Sequence, residues 1–260
     1  MDANTSKLIG LANKTETLRL FLDYDGTLDE FAPSPDIVLP NNQVIALLEH
    51  LVRAKGILPA VISGRRLAHI ETLLPIERLL IAGTYGFEMR LPNGKLSFGT
   101  DISEVREFLE SLLPLWRECI SSVEGMVLED KGYALALHGR LVSGPEVKKA
   151  LDRVQSITLN LMTGHKFRLS ASDRFLEIAP ESARKSIAVQ KVLDEYTPGN
   201  AGIIYIGDDD KDEEAFQIVH SRGGIAVRVA NGEVNTSAQF ILASPAQVRE
   251  WLKELVKTRS

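Results

Sequence analysis

Cysteine is almost absent. Cys119 is the only one in the chain, which excludes an intrachain disulfide and any metal site built from several thiolates. Lying in a predicted helix, it is expected to be a small buried apolar residue. Long hydrophobic runs are missing too, and none reaches the roughly 18 residues that a membrane helix needs. Met1 to Leu20 lacks the basic start and apolar run of a secretory signal. Basic residues are not in excess: 30 Lys and Arg stand against 35 Asp and Glu, for a formal net charge of −5, and no basic block stands out. A nucleic-acid backbone demands clustered cations, so nucleic acid is not expected as a partner. A small anion needs only a few local charges. There is no tandem repeat and no low-complexity tract. The expectation is a soluble cytoplasmic protein, monomer or weak dimer, without a membrane partner.

What is there is an ordinary globular composition, 44% apolar and 25% charged over 260 residues, enough to bury a sizeable core. Five short apolar runs, Leu18–Leu22, Ile57–Ile62, Leu79–Ala82, Ile203–Ile206 and Ile225–Val229, lack strict alternation and are bounded by turn residues. That pattern predicts parallel strands covered on both faces. Helical spacing lies between them at Asn42–Ala54 and Lys185–Tyr196. The fold class expected is α/β, a Rossmann-like parallel sheet whose ligands bind beyond the carboxyl ends of its strands.

The middle of the chain has another rhythm. Glu104–Trp116 carries an apolar stripe of Val105, Phe108, Leu109, Leu112 and Leu113. Met126–Glu129 and Gly132–His138 predict a hairpin across Asp130-Lys131. A helix follows at Glu146–Leu159, then a second hairpin from Lys166–Ser170 and Arg174–Ile178. Helix, two strands, helix, two strands is a compact α+β unit. The domains expected are therefore a core of residues 1–101 and 179–260 with an insertion at 102–178.

Chemistry concentrates where apolar strands end. Phe21-Leu22-Asp23-Tyr24-Asp25-Gly26-Thr27-Leu28 ends a strand in two carboxylates and a glycine turn. Crowding two like charges there is costly unless a cation or a proton transfer uses them; an Asx-type turn is the structural alternative. Ile206-Gly207-Asp208-Asp209-Asp210-Lys211-Asp212-Glu213-Glu214 follows a second strand, and such hard oxygen donors suit Mg²⁺. Part of that acidity would equally serve the start of a helix. Val61-Ile62-Ser63-Gly64-Arg65-Arg66 presents a hydroxyl, backbone N–H groups and a guanidinium to an anion, although Ser63 could simply cap a helix. Glu129 and Lys131 are two apart on the first inserted hairpin, suited to sugar hydroxyls or to an ion pair, and His138 suits a structural hydrogen bond as well.

Together these motifs resemble the haloacid dehalogenase-like phosphohydrolases, in the order Asp23/Asp25, Ser63, Lys185 and Asp208 with Asp209 or Asp212. More narrowly, Leu22 to Leu28, Ser63-Gly64-Arg65, Val127 to Lys131 and Gly207 to Glu213 are similar to the trehalose-6-phosphate phosphatase family, over nearly the whole stretch from Leu18 to Val229. Tyr85, Gly139, Ser186 and Lys211 depart from that family's usual pattern, which bears on the identity of the sugar. The resemblance implies Asp23 as nucleophile and Asp25 as acid and base. It implies Mg²⁺ on Asp23, the Asp25 carbonyl and Asp208. Ser63, Gly64, Arg65 and Lys185 would hold the phosphate, and Glu129, Lys131 and Arg140 would hold the sugar from an insertion acting as a cap. The substrate implied is a small sugar phosphate. Glucosylglycerol phosphate, a glycosyl-3-phosphoglycerate, or phosphosugar mutation are the alternatives.

Overall fold

The computed structural model describes residues 3–31, 38–99, 102–139, 142 and 144–259. The chain divides into two compact units, Met1–Ser97 with Arg184–Ser260, and Phe98–Ala183. In chain order the first unit opens with α1 (Ala3–Ala12), β1 (Leu18–Leu22), α2 (Asn42–Arg53), β2 (Ile57–Ile62), α3 (Leu67–Leu73), β3 (Leu80–Gly83), β4 (Glu88–Arg90) and β5 (Leu96–Phe98). The inserted unit holds α4 (Ile102–Ile120), β6 (Val127–Asp130), β7 (Leu135–His138), α5 (Glu146–Leu161), β8 (Phe167–Ser172) and β9 (Phe175–Pro180). The first unit resumes with α6 (Lys185–Tyr196), β10 (Gly202–Gly207), α7 (Glu213–Ser221), β11 (Ile225–Val229), β12 (Phe240–Leu242) and α8 (Pro245–Thr258).

The first unit is an eight-stranded sheet in the order β12-β11-β10-β1-β2-β3-β4-β5. Its strands from β12 to β3 pair in parallel, and β4 returns antiparallel on β3. Alternation explains how the sheet is covered on both faces. Leu18, Leu20 and Leu22 of β1 join one apolar cluster with residues of α1, α2 and α8, while Phe21 joins the other with residues of α6 and α7. Helix α2 shows the local logic. Asn41 caps it by accepting the Gln43 N–H, and Val44, Leu47, Leu48 and Leu51 bury one face. Each such side chain contributes about 1.5–3 kcal/mol by leaving water. The parallel α/β core expected from the apolar runs is borne out. The short strands β4, β5 and β12 and the helices α1, α3 and α8 add to it.

The inserted unit is a four-stranded antiparallel sheet, β6-β7-β9-β8, with α4 and α5 burying their stripes and joined by the Trp116 indole N–H donating to Thr158. Its division from the core falls at Phe98 and Ala183, wider than 102–178. One reason is that β9 continues to Pro180 in register with β8, and Arg168 donates to the Ala183 carbonyl beyond it. Two local expectations are corrected. Helix α4 runs on to Ile120, which buries Cys119 as expected. Gly132 lies in the turn rather than in β7: its φ is +81°, and the Lys131 N–H closes the turn on the Ala134 carbonyl.

Candidate active site

Three adjacent parallel strands, β10, β1 and β2, end at the same edge of the sheet. Their next residues are Asp208, Asp23 and Ser63. Register alone therefore gathers the three sequence motifs. Gly26 permits the closest approach: its φ is +74°, and a Cβ there would stand 2.3 Å from Asp208 Oδ2. Thr27 Oγ1 donates to the other Asp208 oxygen at 3.1 Å. The glycine and threonine after Asp25 thus dock the first loop onto the last.

The centre is charged and buried. Lys185, the first residue of α6, donates from Nζ to Asp23 Oδ2 at 2.6 Å and to Asp212 Oδ1 at 2.7 Å. Lys185 is 4% exposed and Asp212 fully buried. The Asp212 carboxylate also accepts from the Tyr205 hydroxyl at 2.6 Å and the Asp209 N–H at 2.9 Å. Asp23 accepts the Tyr24 N–H at 2.7 Å on its other oxygen. Burial pushes the Asp23 carboxyl well above the carboxylate range; Lys185 opposes this, and Asp212 and Asp208 add to it. Burial and then Asp212 push Asp208 up to about 6. For Lys185 burial acts downward, but Asp212 and Asp23 outweigh it and keep the ammonium charged.

The donor set fits a hard cation. Asp23, Asp208 and Asp212 each offer an oxygen, all within 4.8 Å of one another, and one ammonium leaves their mutual repulsion only partly offset. Asp212, already holding three donors, suits the anchoring of Lys185. Asp209 turns outward as a cap, accepting the Lys211 N–H.

Like Lys185, two more of the expected phosphate contacts already have partners within the protein. Arg65 forks onto Asp25, Nε to Oδ2 at 2.7 Å and Nη2 to Oδ1 at 2.6 Å. Ser63 Oγ accepts the Arg65 N–H at 3.1 Å, a bond within its own loop; it does not cap the following helix α3, whose N-cap is Arg66. Gly64 gives room: a Cβ there would meet the Tyr85 ring at 2.7 Å.

On the inserted unit, Glu129 accepts from or shares a proton with His138 Nε2 at 2.9 Å. Burial would raise the Glu129 carboxyl, but the His138 hydrogen bond and Lys131 prevail and hold it below the ordinary range. Lys131 lies beyond the strand, with Nζ 2.7 Å from the fully buried Glu177 and 4.0 Å from Glu129. Arg140 lies outside the described residues. Glu177 and Tyr205 belong to no motif in the sequence. A glutamate inside Phe175-Leu176-Glu177-Ile178-Ala179 was the available signal, since a charge on a covered strand demands a buried partner. Tyr205, in the apolar strand β10, reads from sequence as core.

A sequence model of the trehalose-phosphatase family matches residues 21–246. A probable trehalose-phosphate phosphatase of Sinorhizobium fredii is 31% identical, over 85% of this chain and 81% of that one. Probable trehalose-phosphate phosphatase 3 of Oryza sativa is 29% identical, over 96% of this chain and 72% of its own length. The C-terminal domain of Candida albicans trehalose-6-phosphate phosphatase superposes with a TM-score of 0.84 at 19% identity, covering 98% and 97% of the two chains. The fold is the haloacid dehalogenase-like one. With the family model running through the strand-end carboxylates and the inserted sheet, and a relative 31% identical over most of both lengths, this chain belongs to the trehalose-phosphatase family of phosphoric monoester hydrolases.

Proposed function

We propose that this chain hydrolyses trehalose 6-phosphate to trehalose and phosphate through an aspartyl-phosphate on Asp23, with Mg²⁺. The observation that carries the reading is the buried Asp23–Lys185–Asp212 triad beside Asp208, in a chain of this family. Asp23 attacks phosphorus. Its carboxylate is oriented by the Tyr24 N–H on one oxygen and Lys185 on the other. Mg²⁺, held by Asp23, Asp208 and the Asp25 carbonyl, would supply the positive charge that offsets repulsion between carboxylate and phosphate. Asp25 protonates the leaving sugar oxygen and then takes a proton from the water that releases phosphate, a service worth roughly 10²–10⁴-fold in rate. Its partner Arg65 has a second use. Phosphoryl oxygens compete for the same guanidinium fork, and transfer of Arg65 to them frees Asp25 for proton transfer. Ser63, the Gly64 backbone and Lys185 complete the phosphate's surroundings, in keeping with a reaction governed by positioning and electrostatics. Glu129, Lys131 and Arg140 recognise the sugar, with Glu177 fixing the Lys131 ammonium.

The test is phosphate release over a panel of sugar phosphates with Mg²⁺, including trehalose 6-phosphate, glucosylglycerol phosphate and a glycosyl-3-phosphoglycerate. Preference for trehalose 6-phosphate, abolished in a folded Asp23→Asn variant, is expected. A higher kcat/KM on another member, or release by Asp23→Asn near the wild-type rate, would refute the assignment.

A further inference from the structure

Two side chains outside the machinery above meet across the strand-end edge. Lys211, half-buried in the turn between Asp209 and Asp212, donates from Nζ to the Tyr85 hydroxyl at 2.7 Å, and Nζ lies 4.6 Å from the ring centroid. Tyr85 is 5% exposed. Its ring covers Gly64 so closely that a Cβ on Gly64 would stand 2.7 Å from Cε1 and 3.0 Å from the hydroxyl oxygen.

The chain holds Tyr85 there at a cost. Thr84 and Tyr85 are consecutive non-glycine residues with φ of +45° and +57°, a conformation that persists only where surroundings over-determine it. Those surroundings are present. The Thr84 N–H donates to the Arg65 carbonyl at 2.7 Å and the Tyr85 N–H to the Ser63 carbonyl at 2.9 Å. Buried Glu88 accepts from Thr84 Oγ1 and from the Leu67 N–H. The segment 84–85 is thus clamped onto the Ser63–Arg65 loop. On the other side, Lys211 is carried by the turn whose Asp212 anchors Lys185.

We propose that Tyr85 and Lys211 form a phosphate-site bridge, in which Tyr85 is a positioning residue holding the Lys211 ammonium beside the Ser63–Arg65 loop as an additional cation for the substrate's phosphate. The acceptor in this contact is a neutral phenol, whose role is to position the ammonium. The bridge also ties together the two loops that flank Asp23. The inference rests on the reading that a phosphate binds at this strand-end site, but not on the identity of the sugar.

The test titrates inorganic phosphate into the Mg²⁺-supplied whole protein by calorimetry, for wild type, Tyr85→Phe, Lys211→Met, Lys211→Arg and the Tyr85→Phe/Lys211→Met double variant. Circular dichroism verifies that each is folded. Lys211→Met is expected to weaken phosphate binding about 10-fold, the scale of one charge-assisted hydrogen bond, and Tyr85→Phe by less. Lys211→Arg should retain most of the affinity. The double variant should be no weaker than Lys211→Met alone, because the hydroxyl acts through the ammonium. Steady-state kinetics on the best substrate should show the loss in KM rather than kcat, shrinking as salt rises. Unchanged phosphate affinity in Lys211→Met would overturn the proposal, as would additive losses in the double variant. Wild-type phosphate binding without turnover of trehalose 6-phosphate would count against the sugar reading and leave the bridge standing.

Discussion

Replacing Lys185 by methionine removes an ammonium at little change in side-chain length, and it strikes the most buried charge cluster of the core. In the wild type that ammonium lies 2.6 Å from Asp23 and 2.7 Å from Asp212. Removing one member of a buried ion pair costs about 3–5 kcal/mol, because the partner is left charged and dry. Two carboxylates lose a partner here, but neither is stripped bare. Asp212 keeps the Tyr205 hydroxyl and the Asp209 N–H, and Asp23 keeps the Tyr24 N–H. The expected loss is therefore about 3 kcal/mol at pH 7, the low end of that range. Its pH dependence has a definite sign. Without the ammonium, burial and the neighbouring carboxylates act on Asp23, a carboxyl already raised, with only the Tyr24 N–H against them. The folded variant then binds protons more tightly than its unfolded chain, so its deficit grows as pH rises. Urea unfolding followed through the buried Trp116 and Trp251 at pH 5 and pH 7 measures this. Lys185→Met/Asp212→Asn, which neutralises one orphaned carboxylate, should recover stability at pH 7 but not turnover. A loss under about 1 kcal/mol at pH 7 would refute the buried-pair reasoning, and so would a deficit no smaller at pH 5.

Two further outcomes are expected. Asp208 is raised from 3.8 to about 6, so its contribution to stability is lost as pH rises through that window; Mg²⁺ should therefore raise Tm more at pH 7 than at pH 4.5, and thermal melts showing an equal or larger shift at the lower pH would contradict the cation assignment. Glu129→Ala should lower kcat/KM for trehalose 6-phosphate about 10- to 100-fold, the scale of a charged hydrogen bond, while barely affecting a small generic phosphate ester. Equal losses on both substrates would make Glu129 a support of its own unit rather than a sugar contact.

Contiguous residues decide the elements that have a strong local signature. The apolar runs of β1, β2, β10 and β11 are legible because each is short, covered on both faces and ended by turn residues. The carboxylates are legible because Asp23 and Asp208 follow those runs directly, so placing the strands places them. The short strands β4, β5 and β12 carry too few residues for any period to show. Helix α4 passes the expected end at Trp116, and its buried stripe continues at helical spacing from Leu112 through Trp116 to Cys119.

Pairing belongs to the tertiary structure. Lys185 reaches Asp23 across 162 positions of sequence, and Arg65 reaches Asp25 across 40. Residue types name candidates for such contacts, yet several acceptors compete for each cation. Sequence placed Arg65 and Lys131 where ligands could use them; folding set one on Asp25 and the other on Glu177. Tyr85 and Lys211 stood out in the sequence only as separate departures from a family pattern, and the fold brings them to 2.7 Å. The physical reason is range. Strand, turn and cap formation are settled within a few residues by sterics and solvation, whereas a buried charge takes whichever partner the packed backbone delivers.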